Sequence, residues 1–164
     1  MNKELTILAK PGSQEVFISR AFDAPRALVF QAHTDPDLIV QFLGPDDLET
    51  KIDYWEMKSG GQYRYVSSRG NQSFGFHGVI HEVNSVEFYI TQTFQFEGIP
   101  GNENVSLDFL MLEELPGDRT LLKIHSILPS VMARDMMIQS GMEKGISQGY
   151  ARLDTLLSDL KNGS

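Results

Sequence analysis

Four histidines, His33, His77, His81 and His125, are the first candidates in this chain for acid–base or metal chemistry. His77 and His81 stand four residues apart in a segment that alternates as a strand, so roughly 13 Å separates them along it. A two-histidine metal site needs that spacing on a helix, where it brings both rings to one side. The spacing therefore supports surface or packed histidines, and no metal site is assigned. Cysteine is absent, which excludes disulfides, thiolate metal ligands and a thiol nucleophile, and fits a reducing, cytoplasmic setting. Ser158-x-x-Lys161 falls in the tail of the chain, away from any context in which it would act. There is no Walker loop, no G-x-G-x-x-G after a strand and no nucleophile elbow at a strand-to-helix turn. Gly60-Gly61 is too short to cradle a phosphate, and the acidic pairs Asp46-Asp47 and Glu113-Glu114 read as solvated surface. No catalytic residue and no cofactor is assigned on this basis.

Binding chemistry has better candidates. Gln92 is the polar residue on a strand face otherwise made of Phe88, Ile90, Phe94 and Phe96. A buried amide must find a partner, either a neighbouring strand or a ligand. Met136, Met137 and Met142 supply soft, adaptable surface that suits a core or a ligand wall. Gly145 and Gly149 fall on the apolar side of a helix whose other members are Met142, Ile146, Tyr150, Leu153, Leu156, Leu157 and Leu160. That side spans an arc of about 140°. Each glycine costs about 1 kcal/mol against alanine in a helix interior. Either another backbone comes very close there, or an empty volume is kept open.

The elements that would position these residues follow from periodicity. Residues 1 to 13 read as an extended lead-in closed by Pro11-Gly12, and Val16 to Phe22 alternates as a strand. Asp23-Ala24-Pro25 opens a helix with proline in its first turn, and Thr34-Asp35-Pro36 opens a short second one that ends near Gly44-Pro45. Strands are predicted over Leu48 to Glu56, Gln62 to Ser67, Phe74 to Val83, Glu87 to Phe96, Val105 to Leu115 and Thr120 to Ile127. On the fifth of these six, Val105, Leu107, Phe109 and Met111 form the apolar face. A helix over Ser130 to Gln139 precedes the long C-terminal one, which the capping box Ser140/Glu143 starts at residue 140 and which runs to 160. Short strand-to-strand links make the sheet antiparallel. The order is β, α, α, six β, α, α, an α+β class.

Bulk properties narrow the partners. The 164 residues are 41% hydrophobic and carry a formal charge of −8. One domain is expected from this length. The acidic balance opposes a nucleic-acid footprint and docking on an anionic membrane. The opening MNKELTILAK lacks the apolar core of a signal peptide, and no run approaches the roughly 18 apolar residues of a membrane span.

Several short motifs together resemble a known family. They are Phe22-Asp23-Ala24-Pro25, Val29-Phe30, Thr34-Asp35-Pro36, Gly44-Pro45 and Gly60-Gly61-Gln62-Tyr63-Arg64-Tyr65. Further along stand Gly78 with Glu82-Val83, then Phe96-Glu97-Gly98-Ile99-Pro100-Gly101, Arg134-Asp135-Met136, Gly141-Met142-Glu143-Lys144-Gly145 and Leu153-Asp154-x-Leu156-Leu157. Over residues 15 to 160 or so, their order and spacing resemble the Activator of Hsp90 ATPase homologue-like family of the START/Bet v 1-like (SRPBCC) superfamily. The resemblance implies a helix-grip fold spanning residues 1–164 as a single domain: a curved antiparallel sheet of about seven strands wrapped around the long C-terminal helix, with an apolar cavity between. Two departures bear on specificity. Phe42-Leu43 stands where the family usually has a Trp-Trp pair, and Lys58-Ser59 where it usually has Arg-Pro.

On this reading the chain binds a small apolar molecule such as a lipid, an aromatic or a polyketide-like compound. The expected wall is Phe42, Trp55, Tyr63, Phe76, Phe94, Phe109, Met137, Met142 and Ile146, with Gln92 as polar anchor. Two other functions compete with it. A cyclase- or hydrolase-like enzyme would need a titratable group in the cavity, for which His77, His125 and Arg64 are candidates. A protein-interaction module modulating a chaperone ATPase would instead show an exposed docking patch. A homodimer is a further possible partner arrangement, through a sheet edge or the loop from Gly98 to Asn104.

Overall fold

The structure is a computed structural model, and it describes residues 4–163. Twelve elements follow in the order β1 (Thr6–Leu8), β2 (Glu15–Phe22), α1 (Arg26–Thr34), α2 (Pro36–Ile39), β3 (Glu49–Trp55), β4 (Gln62–Arg69), β5 (Gln72–Asn84), β6 (Tyr89–Phe96), β7 (Ser106–Leu115), β8 (Arg119–Ile127), α3 (Val131–Gln139) and α4 (Met142–Lys161). The strands form one sheet in the order β1-β2-β8-β7-β6-β5-β4-β3, with every pair antiparallel. The sheet has eight strands because Thr6–Leu8, expected as an extended lead-in, pairs with β2 at one edge. This is the helix-grip arrangement, with the helices on one face of the sheet.

Local sequence explains the element ends. Asp35 caps α2 by accepting the amide of Asp37, with Pro36 at the first position. Ser130 caps α3 through the amide of Ala133. The capping box expected at Ser140 does not form. Ser140 instead closes α3, its hydroxyl and its amide both donating to the Met137 carbonyl. Gly141 then takes a left-handed conformation at φ 87°, and α4 begins at Met142. A glycine between two helices turns the chain more cheaply than a Ser/Glu box could.

The principal core lies under the C-terminal half of α4. Leu153, Leu157 and Tyr150 meet Phe22, Val29, Leu112 and Leu122, all buried. Each such side chain contributes roughly 1.5–3 kcal/mol of hydrophobic stabilisation. Two further clusters matter for the site. One gathers Val16, Ile18 and Leu128 with Met137, Ile138, Met142 and Ile146 under α3 and the start of α4. The other gathers Tyr63, Tyr65 and Ile80 with Trp55, Phe76 and Phe94 on the far half of the sheet.

Candidate functional site

Successive strand residues point to opposite faces, so strand register decides which side chains look toward α4. One inward row crosses five strands: Ile80, Gln92, Asp108, Ser126 and Val16. Its ends are fully buried aliphatics, Ile80 belonging to the aromatic cluster and Val16 to the one beneath α3. Its middle is polar. Beside it, Tyr63 faces Gly78, and Phe94 faces Ser106. A polar triplet thus sits between two apolar clusters, on the face of the sheet that the helices cover.

Asp108 is the group with the most at stake. Its Oδ1 is shielded from solvent and has no hydrogen-bond partner among the described residues. Burial pushes the carboxyl above the ordinary range, against hydrogen bonds from Ser126 and Ser106 that hold it down. Burial likewise pushes up the hydroxyl of Tyr65, and the nearby negative charge of Asp108 adds to it.

Around this triplet the packing is not uniform. Phe76, Gln92, Phe94, Phe96 and Asp108 are half-buried, whereas Tyr63, Ile80, Ser106, Ser126 and Leu128 are buried. The partly open strip therefore runs along the inner face of β5, β6 and β7. Its aromatic side is ordered: Phe76 lies between Tyr65 at 5.0 Å and Phe94 at 5.6 Å, with interplanar angles of 21° and 18°. Tyr63 donates to the carbonyl of Thr93 at 2.6 Å, which carries its ring over Gly78. A Cβ on Gly78 would stand 2.6 Å from that hydroxyl, so the position needs glycine.

The two glycines of α4 turn out to serve different ends. At Gly149 a Cβ would meet the carbonyl oxygen of Phe42 at 2.4 Å, so here another backbone does come close. At Gly145 a Cβ would meet only Pro45, at 3.8 and 4.0 Å, an ordinary van der Waals contact that a larger residue could make. The loop between α2 and β3 is tied to α4 by Arg152, which donates to the carbonyls of Gln41, Leu43 and Gly44 and pairs with Asp46. Gln148 accepts the amide of Asp46 at 2.8 Å.

Most of the expected wall is distributed over this inner side. Trp55, Tyr63, Phe76 and Phe94 share one cluster, with Gln92 beside it. Met137, Met142 and Ile146 share the other. Phe42 is buried in the principal core, and Trp55 is pinned by its indole N–H on the carbonyl of Thr34. Phe109 is a correction. It lies on the outer face, 41% exposed, opposite His125 and Thr91. The apolar face of β7 (Leu107, Phe109, Met111) points outward and the face bearing Ser106, Asp108, Leu110 and Leu112 points in. Sequence reasoning missed Asp108, Ser106 and Ser126 because it oriented β7 by hydrophobicity alone. The usable signal was register: once Gln92 is placed inward, its partner Asp108 must be inward too.

The titratable candidates for turnover lie outside. Arg64 makes a two-pronged contact with Glu97 and a further one with Asp53, while His77 binds the same Glu97 at 2.8 Å. His125 stacks on Phe17 at 4.4 Å and contacts Glu15 at 3.0 Å. Gly145-Ile146-Ser147-Gln148-Gly149 spells G-x-S-x-G, yet it lies within α4, not at a strand-to-helix turn, and Ser147 is exposed. A groove of about 530 Å³ lined by Asp23, Pro25, Gly117, Asp118, Arg119 and Lys161 opens at the other end of α4, remote from the inward row.

The family model described as Activator of Hsp90 ATPase homolog 1-like protein matches residues 23–158. No curated protein matches the sequence. Among solved structures, a Rhodobacter sphaeroides protein is 23% identical with a TM-score of 0.83, covering 95% of this chain and 99% of its own. A Staphylococcus epidermidis protein is 24% identical with a TM-score of 0.78, covering 94% of each chain. Ara h 8.0201, a Bet v 1 homologue, is 15% identical with a TM-score of 0.68 over 88% of this chain and 97% of its own. These likenesses establish the Bet v 1-like helix-grip fold.

Proposed function

The chain belongs to the Activator of Hsp90 ATPase homolog 1-like family, and from that premise we propose that it binds a small, largely apolar molecule between the inner face of its sheet and the N-terminal half of α4. The observation that carries this reading is the half-buried strip of Phe76, Gln92, Phe94 and Asp108 on the inner face of the sheet, which runs from the aromatic cluster toward the apolar cluster under α3. Buried polar groups among aromatic walls are the usual make-up of a small-molecule site. Phe42, Trp55, Tyr63, Met137, Met142 and Ile146 support the walls, and Gln92 remains a polar anchor. The absence of cysteine supports a cytoplasmic setting, and no helix among the described residues is long and apolar enough to cross a membrane.

Native mass spectrometry of protein purified without added ligand, followed by denaturing extraction, tests the reading. A stoichiometric adduct, or uptake from a panel of fatty acids and polycyclic aromatics, is the expected result. A clean apo mass that no member of the panel changes overturns it.

A specific observation favours a second reading, protein docking on a chaperone. Phe17, Leu107, Phe109 and Met111 are exposed together on the outer face of β2 and β7, with His125 between the two phenylalanines. Exposed apolar groups in this density mark interaction surfaces. The ATPase rate of the cognate chaperone, with and without an equimolar amount of this protein, decides it: an unchanged rate removes the reading.

A further inference from the structure

The helices lie on the inner face of the sheet, and no described element covers the outer one. Strand pairing aligns Leu8, Phe17, His125 and Phe109 in one outward row across β1, β2, β8 and β7, with Leu107 and Met111 two residues to either side of Phe109. The five apolar members are each between 38% and 51% exposed. Left in water, they forgo the gain that apolar burial brings. The row is also ordered in advance. The imidazole of His125 stacks on Phe17 at 4.4 Å with an interplanar angle of 11°, and the ring of Phe109 lies 5.9 Å from it on the other side. Rings fixed in this way lose little freedom when they are covered.

Charge and size point to the occupant. The chain carries a formal −8, so its copies repel one another in general. The charged groups flanking the row are two carboxylates and one ammonium, and each has a partner: Glu15 contacts His125 at 3.0 Å, and Lys123 donates to Glu113 at 2.8 Å. A second copy can approach across this face without setting unpaired like charges together, and a basic partner finds no concentrated negative charge here. β2, β8, β7 and β6 present 8 to 10 residues each. At about 4.8 Å between strands and 3.3 Å per residue, that face with β1 projects to roughly 600 Å² and exposes more as side-chain surface. Each partner of a stable complex buries about 800 Å². The sheet edges offer no equal site: β1 has three residues, and β3 carries a register shift between Ile52 and Tyr54, with Glu49, Lys51 and Asp53 along it.

We propose that the outer face is a self-association surface, on which two copies pack sheet against sheet about a two-fold axis. Phe17 and Phe109 form its apolar centre, and the Glu113–Lys123 pair lies at its rim. This goes beyond both readings above, because it needs neither a molecule in the interior nor a chaperone; a chaperone would compete for the same face.

Sedimentation equilibrium of the full chain over a dilution series tests it. The wild type is expected at twice the chain mass at about 100 µM, and to dissociate on dilution by mass action. Phe109→Lys, which sets a charge at the apolar centre, is expected to stay monomeric throughout with an unchanged circular dichroism spectrum. Phe109→Thr, which suits a strand, is expected to weaken the dimer about tenfold or more, and serves if the lysine variant does not fold. Met132→Lys, at an exposed methionine of α3 on the helix side, is expected to leave association unchanged. A wild type that stays monomeric at about 100 µM overturns the proposal; the face then belongs to the chaperone if Phe109→Lys abolishes the effect on its ATPase rate. A dimer that survives Phe109→Lys, or that Met132→Lys disrupts as readily, places the interface elsewhere and overturns it too. None of these outcomes depends on whether a ligand enters the interior.

Discussion

The carbonyl oxygen of Phe42 lies 2.4 Å from where a Cβ on Gly149 would stand. Both atoms on the Phe42 side of that contact are backbone, held by the bonds of Arg152 to the same loop. Gly149→Ala would gain about 1 kcal/mol of helix propensity and lose more to a clash that no side chain can relieve, for a net loss of about 2 kcal/mol. Gly145→Ala, with Pro45 no nearer than 3.8 Å, should be neutral or stabilising by up to about 1 kcal/mol. Urea unfolding of the two variants checks the opposite signs. Equal effects would mean that α4 does not rest on the Phe42 loop.

The outward placement of Phe109 separates fold from surface. Phe109→Thr should change stability by less than about 1 kcal/mol, since the ring is 41% exposed and threonine suits a strand. Leu122→Ala, at a fully buried position on the inner face of the neighbouring strand, should cost about 2–5 kcal/mol. Thermal unfolding followed by circular dichroism distinguishes them. A large loss at Phe109 would restore it to the interior.

Much of the architecture was legible because its signals are local. Proline and Asp35 start α2, Ser130 starts α3, and alternation marks β2 and β4 through β8. The resemblance of motifs added the helix-grip topology, which no local signal contains. What failed was facing. Alternation on β7 is apolar on both sides toward its middle, with Leu107, Phe109 and Met111 against Leu110 and Leu112. Hydrophobicity therefore could not say which set points in, and only pairing with β6 does. The Ser140/Glu143 box failed for a related reason: a capping pattern records what a serine can do, and Gly141 made a sharper turn available one residue later. The bulge between Ile80 and Glu82 was also invisible, and it is what lets both Ile80 and Val83 reach the interior.

Glu97 gives a pH signature. The hydrogen-bonded Arg64 guanidinium, with help from His77, holds its carboxyl at about 2, against an ordinary 4.5. The folded state thus favours the charged form, so the contribution is complete above about pH 4.5 and fades as pH falls toward 2. The pair is about one-third exposed, so the effect is small. Glu97→Gln should be less stable than wild type by the same modest amount at pH 7 and pH 6, and the gap should close as pH falls from about 4.5 toward 2. Urea titrations across the range measure it. A gap that persists undiminished at the acid limit would assign the loss to altered packing over Gly75, where the Glu97 side chain lies.

Arg20 and Asp154 fix the rotation of α4 against the sheet. They meet through two parallel bonds of 2.7 Å, from β2 to α4, and Arg20 also donates to the carbonyl of Ala21 and lies over the ring of Phe22. The Arg20 side chain is 8% exposed and that of Asp154 25%. Asp154→Asn would leave a buried guanidinium with no countercharge, at a cost of about 3 kcal/mol. Replacing both, as Arg20→Met with Asp154→Leu, should restore most of that stability, since a packed apolar pair can match a buried ion pair. Stability alone would then be recovered without the bidentate geometry that sets which face of α4 looks inward. If α4 is free to rotate in the double variant, Gly145 and Ile146 shift relative to the inward row. Uptake from the panel of fatty acids and polycyclic aromatics should then weaken even though the melting temperature does not fall. A double variant that binds as tightly as wild type would show that hydrophobic packing by Leu153 and Leu157 orients the helix without the pair.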